Sequence, residues 1–154
     1  MAPLMAAPLH TRFLDHLARG IEALQSSGDL PAGIEPNGLT VERPHDPAHG
    51  DLSTNAAMVL ANLAGAQPRP IAEKLAEWLA TLDEIAEATV AGPGFINLRL
   101  TDQAWRDELA VIAEQMDRYG RSALGAGRTV NIEFVSANPT GPMHMGHCRG
   151  AVVG

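Results

Sequence analysis

His144 and His147 stand three residues apart with Gly146 between them, behind a run from 130 to 135 in which Val130, Ile132 and Phe134 alternate like one face of a β-strand. Imidazole suits chemistry at phosphorus, because a ring N–H donates a hydrogen bond to oxygens that gain negative charge in a phosphoryl or adenylyl transition state. That role is electrostatic and asks for no nucleophile from the protein; no Ser–His–Asp set can be assembled from the chain. Glu133 and Ser136 fall at or near the expected strand's end, and residues 138 to 142 make a stiff turn containing Asn138. The histidines then arrive where the free N–H groups and positive dipole end of a following helix attract phosphate. Gly146, lacking a Cβ, lets a ligand or the backbone approach closely. In open α/β sheets ligands sit beyond the carboxyl ends of strands, so residues 130 to 154 have the layout of a nucleotide site.

Other chemistry for these residues is less well supported. His144, His147 and Cys148 together offer three metal ligands, but a zinc site draws a fourth, and His10, His16, His45 and His49 lie in a different expected domain. No structural metal is expected. Gly125-x-Gly127 with Arg128 lacks a full glycine-rich phosphate pattern and reads as linker. His45 and His49, in a Pro-rich loop, are assigned no chemistry. Trp78 and Trp105 fall on apolar helical stripes, which favours core packing over base stacking.

The elements that must position this site begin with an amphipathic helix carrying Phe13, Leu14, Leu17, Ile21 and Leu24, stopped by Ser26, Ser27 and Gly28. A Pro- and Gly-rich connection leads to a short strand at 39–43. Asp51 or Ser53 is expected to cap a helix through Ala56, Leu60 and Ala64, closed by Gly65. Another helix opens at Pro70, with Ile71, Leu75, Trp78, Leu79 and Leu82 as its stripe. Residues 88–91, the turn Gly92-Pro93-Gly94 and residues 95–100 read as a β-hairpin with Ile96, Leu98 and Leu100 on one face. Thr101 caps a last helix, whose stripe of Trp105, Leu109, Ile112, Met116 and Tyr119 is expected to face the core and to end at Gly120. Three strands and four helices thus predict an α+β domain, a small antiparallel sheet with helices, over residues 1–120. A small-residue, Gly-containing linker follows at 121–129, and the start of a Rossmann-like α/β catalytic domain at 130–154.

With 45% hydrophobic and 19% charged residues in 154, the composition is that of a globular chain, and it excludes disordered and fibrous classes. No apolar run approaches the ~18 residues of a membrane span, and no basic residue precedes Arg12 as a secretory signal requires, so a cytoplasmic protein is expected. The single cysteine, Cys148, forms no internal disulfide. A net charge of −7 argues against binding DNA or RNA by bulk electrostatics. The charge is uneven, however: residues 1–120 carry 8 basic and 17 acidic side chains, and residues 121–154 carry 3 and 1, so the histidine-bearing tail is the part suited to an anion.

The His144-Met145-Gly146-His147 stretch resembles the His-Ile-Gly-His signature of class I aminoacyl-tRNA synthetases, with Met145 in place of isoleucine. The preceding run from Glu133 through Ser136, Asn138 and Pro142, and the following Cys148-Arg149-Gly150, look specifically like the bacterial arginyl-tRNA synthetases. The stretch from His49 to Met58, Pro70 to Glu73, and Gly92 to Asn97 look like the N-terminal appendix of the same family. Cys148 departs from the small or aliphatic residue expected at its place.

The resemblance implies ATP-dependent joining of arginine to its tRNA through an arginyl-adenylate, with Mg2+ accompanying ATP. His144 and His147 would be catalytic, and His144, Gly146 and His147 would bind ATP. Ser136, Asn138 and His147 would hold the amino and carboxylate ends of arginine, and Glu133 would line the same pocket. Thr54 and Asn55 would touch the outer corner of tRNA, and neither DNA nor a membrane is an implied partner. The second phosphate loop, the guanidinium pocket and the anticodon-binding domain would lie after Gly154. The 154 residues by themselves are therefore expected to be inactive, an N-terminal part of the enzyme. The alternative is a stand-alone, non-catalytic tRNA-binding module.

Overall fold

The structure is a computed structural model that describes residues 8–121, 125, 127–133, 135 and 141–153. It divides into two compact units, residues 1–120 and 121–154.

The first unit is built on a four-stranded antiparallel sheet in the order β1-β2-β4-β3, from Val41–Glu42 (β1), Leu52–Thr54 (β2), Ile85–Ala91 (β3) and Phe95–Leu100 (β4). Helices α1 (Leu9–Ser26), α2 (Ala56–Ala64) and α3 (Pro68–Leu79) supply the other half of the core. On β4, Ile96, Leu98 and Leu100 are buried against the helices, while Phe95 and Arg99 alternate to the open face. A register irregularity between Ile85 and Glu87 leaves Ile85, Ala88 and Val90 facing the core side, and Glu87, Thr89 and Ala91 opposite Arg99, Asn97 and Phe95.

Helix α1 buries Phe13, Leu17, Ile21 and Leu24, and approaches α3 at Gly20, where an added Cβ would lie 2.8 Å from both Leu75 and Trp78. Trp78 is half-buried and packs on the core, as its stripe predicts. Helix α3 starts at Pro68 rather than Pro70; proline is tolerated in a first turn, whose N–H groups have no partner in the helix. Helix α2 ends on Gly65 in the left-handed conformation.

Two expectations are overturned here. Residues 52–54 form a strand rather than a helix lead-in, because β4 draws them into the sheet: Asp51 N–H donates to the Leu98 carbonyl at 2.8 Å, and the Asp51 carboxylate accepts from Leu100 N–H at 2.8 Å. The close approach depends on Gly50, at φ 104°, where a Cβ would sit 2.6 Å from the Leu98 carbonyl oxygen. Neither Asp51 nor Ser53 caps α2: its N-cap is Asn55, and the Thr54 hydroxyl just before it accepts from Ala56 N–H at 3.2 Å. The sheet therefore has a fourth strand, and the expected strand at 39–43 shrinks to Val41–Glu42.

The second correction concerns α4 (Asp102–Gln115). Thr101 caps it as expected, its hydroxyl accepting from Ala104 N–H at 3.2 Å. The face turned to the core carries Ala104, Glu108 and Val111, while Trp105, Leu109, Ile112 and Met116 are exposed. Polar chemistry decides the rotation. Glu108 is buried because Arg12 meets it at 2.9 Å, the Leu9 N–H donates to it at 3.0 Å, and the Tyr119 hydroxyl donates to it as well. Arg12 also reaches Glu84 at 2.7 Å, and His16 Nε2 lies 2.6 Å from the other oxygen of Glu84. This cluster joins α1, the start of β3 and α4, and gives the first N–H of α1 a partner that the helix cannot supply.

In the second unit the only regular element among the described residues is α5 (Met145–Val153). The strand expected at 130–135 is not formed at 130–133 or 135, and Val130 and Ile132 are exposed. A strand is stabilised by hydrogen bonds to a neighbour, and none pairs with this stretch among the described residues. No helix of the described residues is long and apolar enough to cross a membrane.

Candidate functional site

The sequence sets His144 and His147 one helical turn apart, and α5 starts at Met145, so both lie at its N-terminus; His147 N–H donates to the His144 carbonyl at 2.9 Å. The rings stack with centroids 4.0 Å apart and planes at 30°. Gly146 N–H donates to His144 Nδ1 at 3.1 Å, and His144 N–H donates to His147 Nδ1 at 3.3 Å. A ring nitrogen that accepts a hydrogen bond carries no proton, so each neutral ring holds its hydrogen on Nε2. Two Nε2–H donors are thus prepared side by side at a helix N-terminus, the arrangement that suits phosphate oxygens. The room over Gly146 is taken by His144 itself, since a Cβ there would lie 2.9 Å from its Cε1.

His144 and Gly146 are exposed, His147 is half-buried, and Glu133 is exposed in a stretch without regular structure. Ser136 and Asn138 lie outside the described residues. The Cys148 thiol is exposed and 3.8 Å from the His144 carbonyl. Among the described residues no group of three or more His, Cys, Asp or Glu side chains converges as a metal site.

The first unit holds a second candidate site. A cavity of about 340 Å3 opens on the sheet face away from the helices, floored by Ser53, Asn97 and Phe95, with Arg43, His45 and His49 on its loop wall. Ser53 Oγ donates to Asn97 Oδ1 at 2.8 Å, which orients the amide so that its NH2 group remains to donate. Phe95 is 41% exposed beside it, a large aromatic surface at the hairpin turn. Asp46 spends its carboxylate on Ala48 N–H at 2.9 Å, shaping the short 3-10 turn that carries His49. Arg43, His45 and His49 are all exposed, and so is Glu42 beside them, giving an imidazole-rich rim with one cation and one anion.

Thr54 and Asn55 border this cavity, but their polar atoms are engaged elsewhere. Thr54 is buried and accepts from the first N–H of α2, while Asn55 accepts from Thr40 N–H at 2.9 Å and donates to the Gly38 carbonyl at 3.3 Å. They hold the loop that forms the wall. The sequence marks Phe95 and Asn97 only as part of the Gly92–Asn97 stretch and assigns no chemistry to His45 and His49, because strand pairing and a loop, not a local motif, bring these residues and Arg43 together. Phe95 also stands out as an aromatic at the polar-facing position of an alternating strand.

The helix-covered antiparallel sheet with its polar open face belongs to a known family. The chain belongs to the arginyl-tRNA synthetase N-terminal domain family, whose model matches residues 12–100. It is 56% identical over 146 residues to an arginine–tRNA ligase of Novosphingobium aromaticivorans, covering 95% of this chain and 25% of that protein. It is 61% identical over 132 residues to one of Cereibacter sphaeroides (86% of this chain, 23% of that one), and 53% identical over 150 residues to one of Nitrobacter hamburgensis (96% and 25%). The chain thus spans about a quarter of the length of these relatives.

Proposed function

We propose that this chain is the N-terminal part of an arginine–tRNA ligase, in which residues 1–120 grip the outer corner of tRNA and residues 130–154 open the catalytic Rossmann-like domain, joined by 121–129. The observation that carries the catalytic half is the pair of stacked imidazoles of His144 and His147 at the start of α5, each with Nδ1 accepting from a backbone N–H so that Nε2 is left to donate. In the reaction of such a ligase, an arginine carboxylate oxygen bonds to the α-phosphorus of ATP and pyrophosphate departs. A terminal hydroxyl of tRNA then attacks the adenylate carbonyl and releases AMP. His144 and His147, with the Gly146 turn between them, would donate to phosphate oxygens as charge builds there. Glu133, Ser136, Asn138 and His147 would hold arginine. Mg2+ would arrive with the ATP phosphates rather than on a protein site, and the setting is cytoplasmic.

In the first unit we assign the tRNA contact to the cavity on the open sheet face, with Phe95 as a stacking surface, the Asn97 amide as a hydrogen-bonding group and Arg43 as a phosphate partner. Thr54 and Asn55 support this contact by holding its wall. Titration of the 154-residue chain with tRNA for arginine at increasing salt tests the assignment. Binding that weakens with salt and is reduced by Phe95→Ala supports it, and binding unaffected by that change removes the cavity from the interface. Arginine-dependent charging by the isolated chain would overturn the expectation that it is inactive alone.

A further inference from the structure

Helix α4 carries two seams. One, Ala104, Glu108 and Val111, is buried in the first unit. The other, Trp105, Leu109 and Ile112, is 41%, 64% and 38% exposed. Its members recur at intervals of four and three residues, the spacing that keeps one stripe facing a partner helix, and it ends there, because the backbone leaves the helix at Met116 (φ 48°). Three large apolar side chains in one line on a solvated helix mark an interaction surface, whereas scattered ones do not. Glu108 holds the helix in this rotation through Arg12, Leu9 and Tyr119, so the outward stripe is set by a buried polar cluster and cannot roll inward without leaving that carboxylate unpaired.

We infer that the Trp105–Leu109–Ile112 seam is the seat of a helix from the polypeptide that, in the relatives, follows the stretch matched here. Two observations single out that occupant. The relatives continue for three times the matched length, and α4 is the last α-helix of the first unit, leading directly into the connection through which that polypeptide is tethered. A tether raises the local concentration of its cargo to the millimolar range, so a seam of this size is satisfied in cis before a second copy or a separate protein reaches it. The seam then acts as a rigid bracket between the tRNA-gripping unit and the body that completes the active site. The inference rests on the reading of the chain as the first quarter of such a ligase.

The test compares hydroxyl-radical oxidation, read by peptide mass spectrometry, in the 154-residue chain and in a chimera joining residues 1–154 to the remainder of the Novosphingobium ligase. Oxidation of Trp105 is expected to fall several-fold in the chimera, as burial in an interface core excludes water from it, while Leu63 on α2 keeps its reactivity. Leu109→Glu with Ile112→Glu is expected to restore oxidation of Trp105 in the chimera and to leave the helix content of the 154-residue chain unchanged. Equal oxidation of the seam in both proteins overturns the inference. Sedimentation of the 154-residue chain as a dimer that Leu109→Glu dissolves also overturns it, making a second copy the occupant. Arginine charging by the chimera separates the two readings: a charging chimera with a reactive seam sinks the bracket alone, and a protected seam without charging sinks the functional reading alone.

Discussion

The guanidinium of Arg12 and the carboxylate of Glu108 meet at 2.9 Å with both side chains almost wholly out of water, tying the first turn of α1 to the middle of α4. Removing one partner of such a pair strands the other. Glu108→Ala is expected to lower unfolding free energy by about 3–5 kcal/mol. A urea titration checks this, and a loss below about 1 kcal/mol would mean that Glu84 alone satisfies Arg12.

Tyr119 adds a dependence on alkaline pH. Burial raises the pKa of its hydroxyl, and donation to Glu108 raises it further, since a phenolate would face that carboxylate with no proton between them. A group whose pKa is raised on folding stabilises the fold fully below its unfolded pKa, near 10, and loses that contribution as pH climbs through the raised value. The melting temperature is therefore expected to decline above about pH 10, where an unfolded tyrosine ionises. Tyr119→Phe should lower stability by about 1 kcal/mol at pH 7 and flatten the alkaline decline. Melting curves from pH 7 to 11 on the two proteins make the comparison.

Gly50 and Gly65 both have positive φ, but their surroundings differ. An alanine at Gly65 meets nothing within 4 Å and is expected to cost about 1–2 kcal/mol, the strain of the left-handed conformation. At Gly50 the added methyl also meets the Leu98 carbonyl, so Gly50→Ala should cost more and loosen β2 from β4. Hydrogen exchange at Asp51 and Leu100 would report that loosening, and equal costs for the two variants would show that the strand edge yields freely.

Contact and scaffold separate in the tRNA cavity. Phe95→Ala is expected to weaken tRNA binding by about 1–3 kcal/mol, the worth of one stacked base, with little change in melting temperature. Asn55→Ala should lower stability and binding together, because it frees the loop at Gly38 and Thr40. If Asn55→Ala instead reduced affinity without touching stability, that amide would be a direct contact.

In a complete ligase carrying this chain, His144→Ala is expected to reduce the rate of adenylate formation on the order of 100-fold or more, by removal of a hydrogen bond formed to developing charge. Pyrophosphate exchange measures it, and near-normal exchange would take His144 out of the reaction.

What the sequence disclosed was what neighbouring residues decide. The β3–β4 hairpin, its buried Ile96, Leu98 and Leu100, the Thr101 cap and the apolar face of α1 all follow from spacing within a few residues. Strand β2 was hidden because Leu52–Thr54 is short and mostly polar, and its state is imposed by β4 some 46 residues later, at the pair Leu52↔Leu98. The helix at 102–115 was legible but its rotation was not. A stripe of Trp, Leu, Ile and Met outscored a lone Glu108 on the other side, and the carboxylate's claim to the interior rests on Arg12, Leu9 and Tyr119. The one-turn spacing of His144 and His147 was readable, whereas the cavity of Arg43, Asn97 and Phe95 needed the sheet to exist first.

The hydrogen bond from Leu9 N–H to Glu108 joins residues 99 apart, which gives the first unit a birth order on the ribosome. At about 5–20 residues per second, the start of α1 waits roughly 5–20 s for the helix that completes it. During that interval Arg12, among the most deeply buried side chains of the folded unit, lacks Glu108, and for most of it lacks Glu84 as well. The nascent chain therefore passes through a stage with three of its helices synthesised and its core still open, and that stage is where a chaperone would find it.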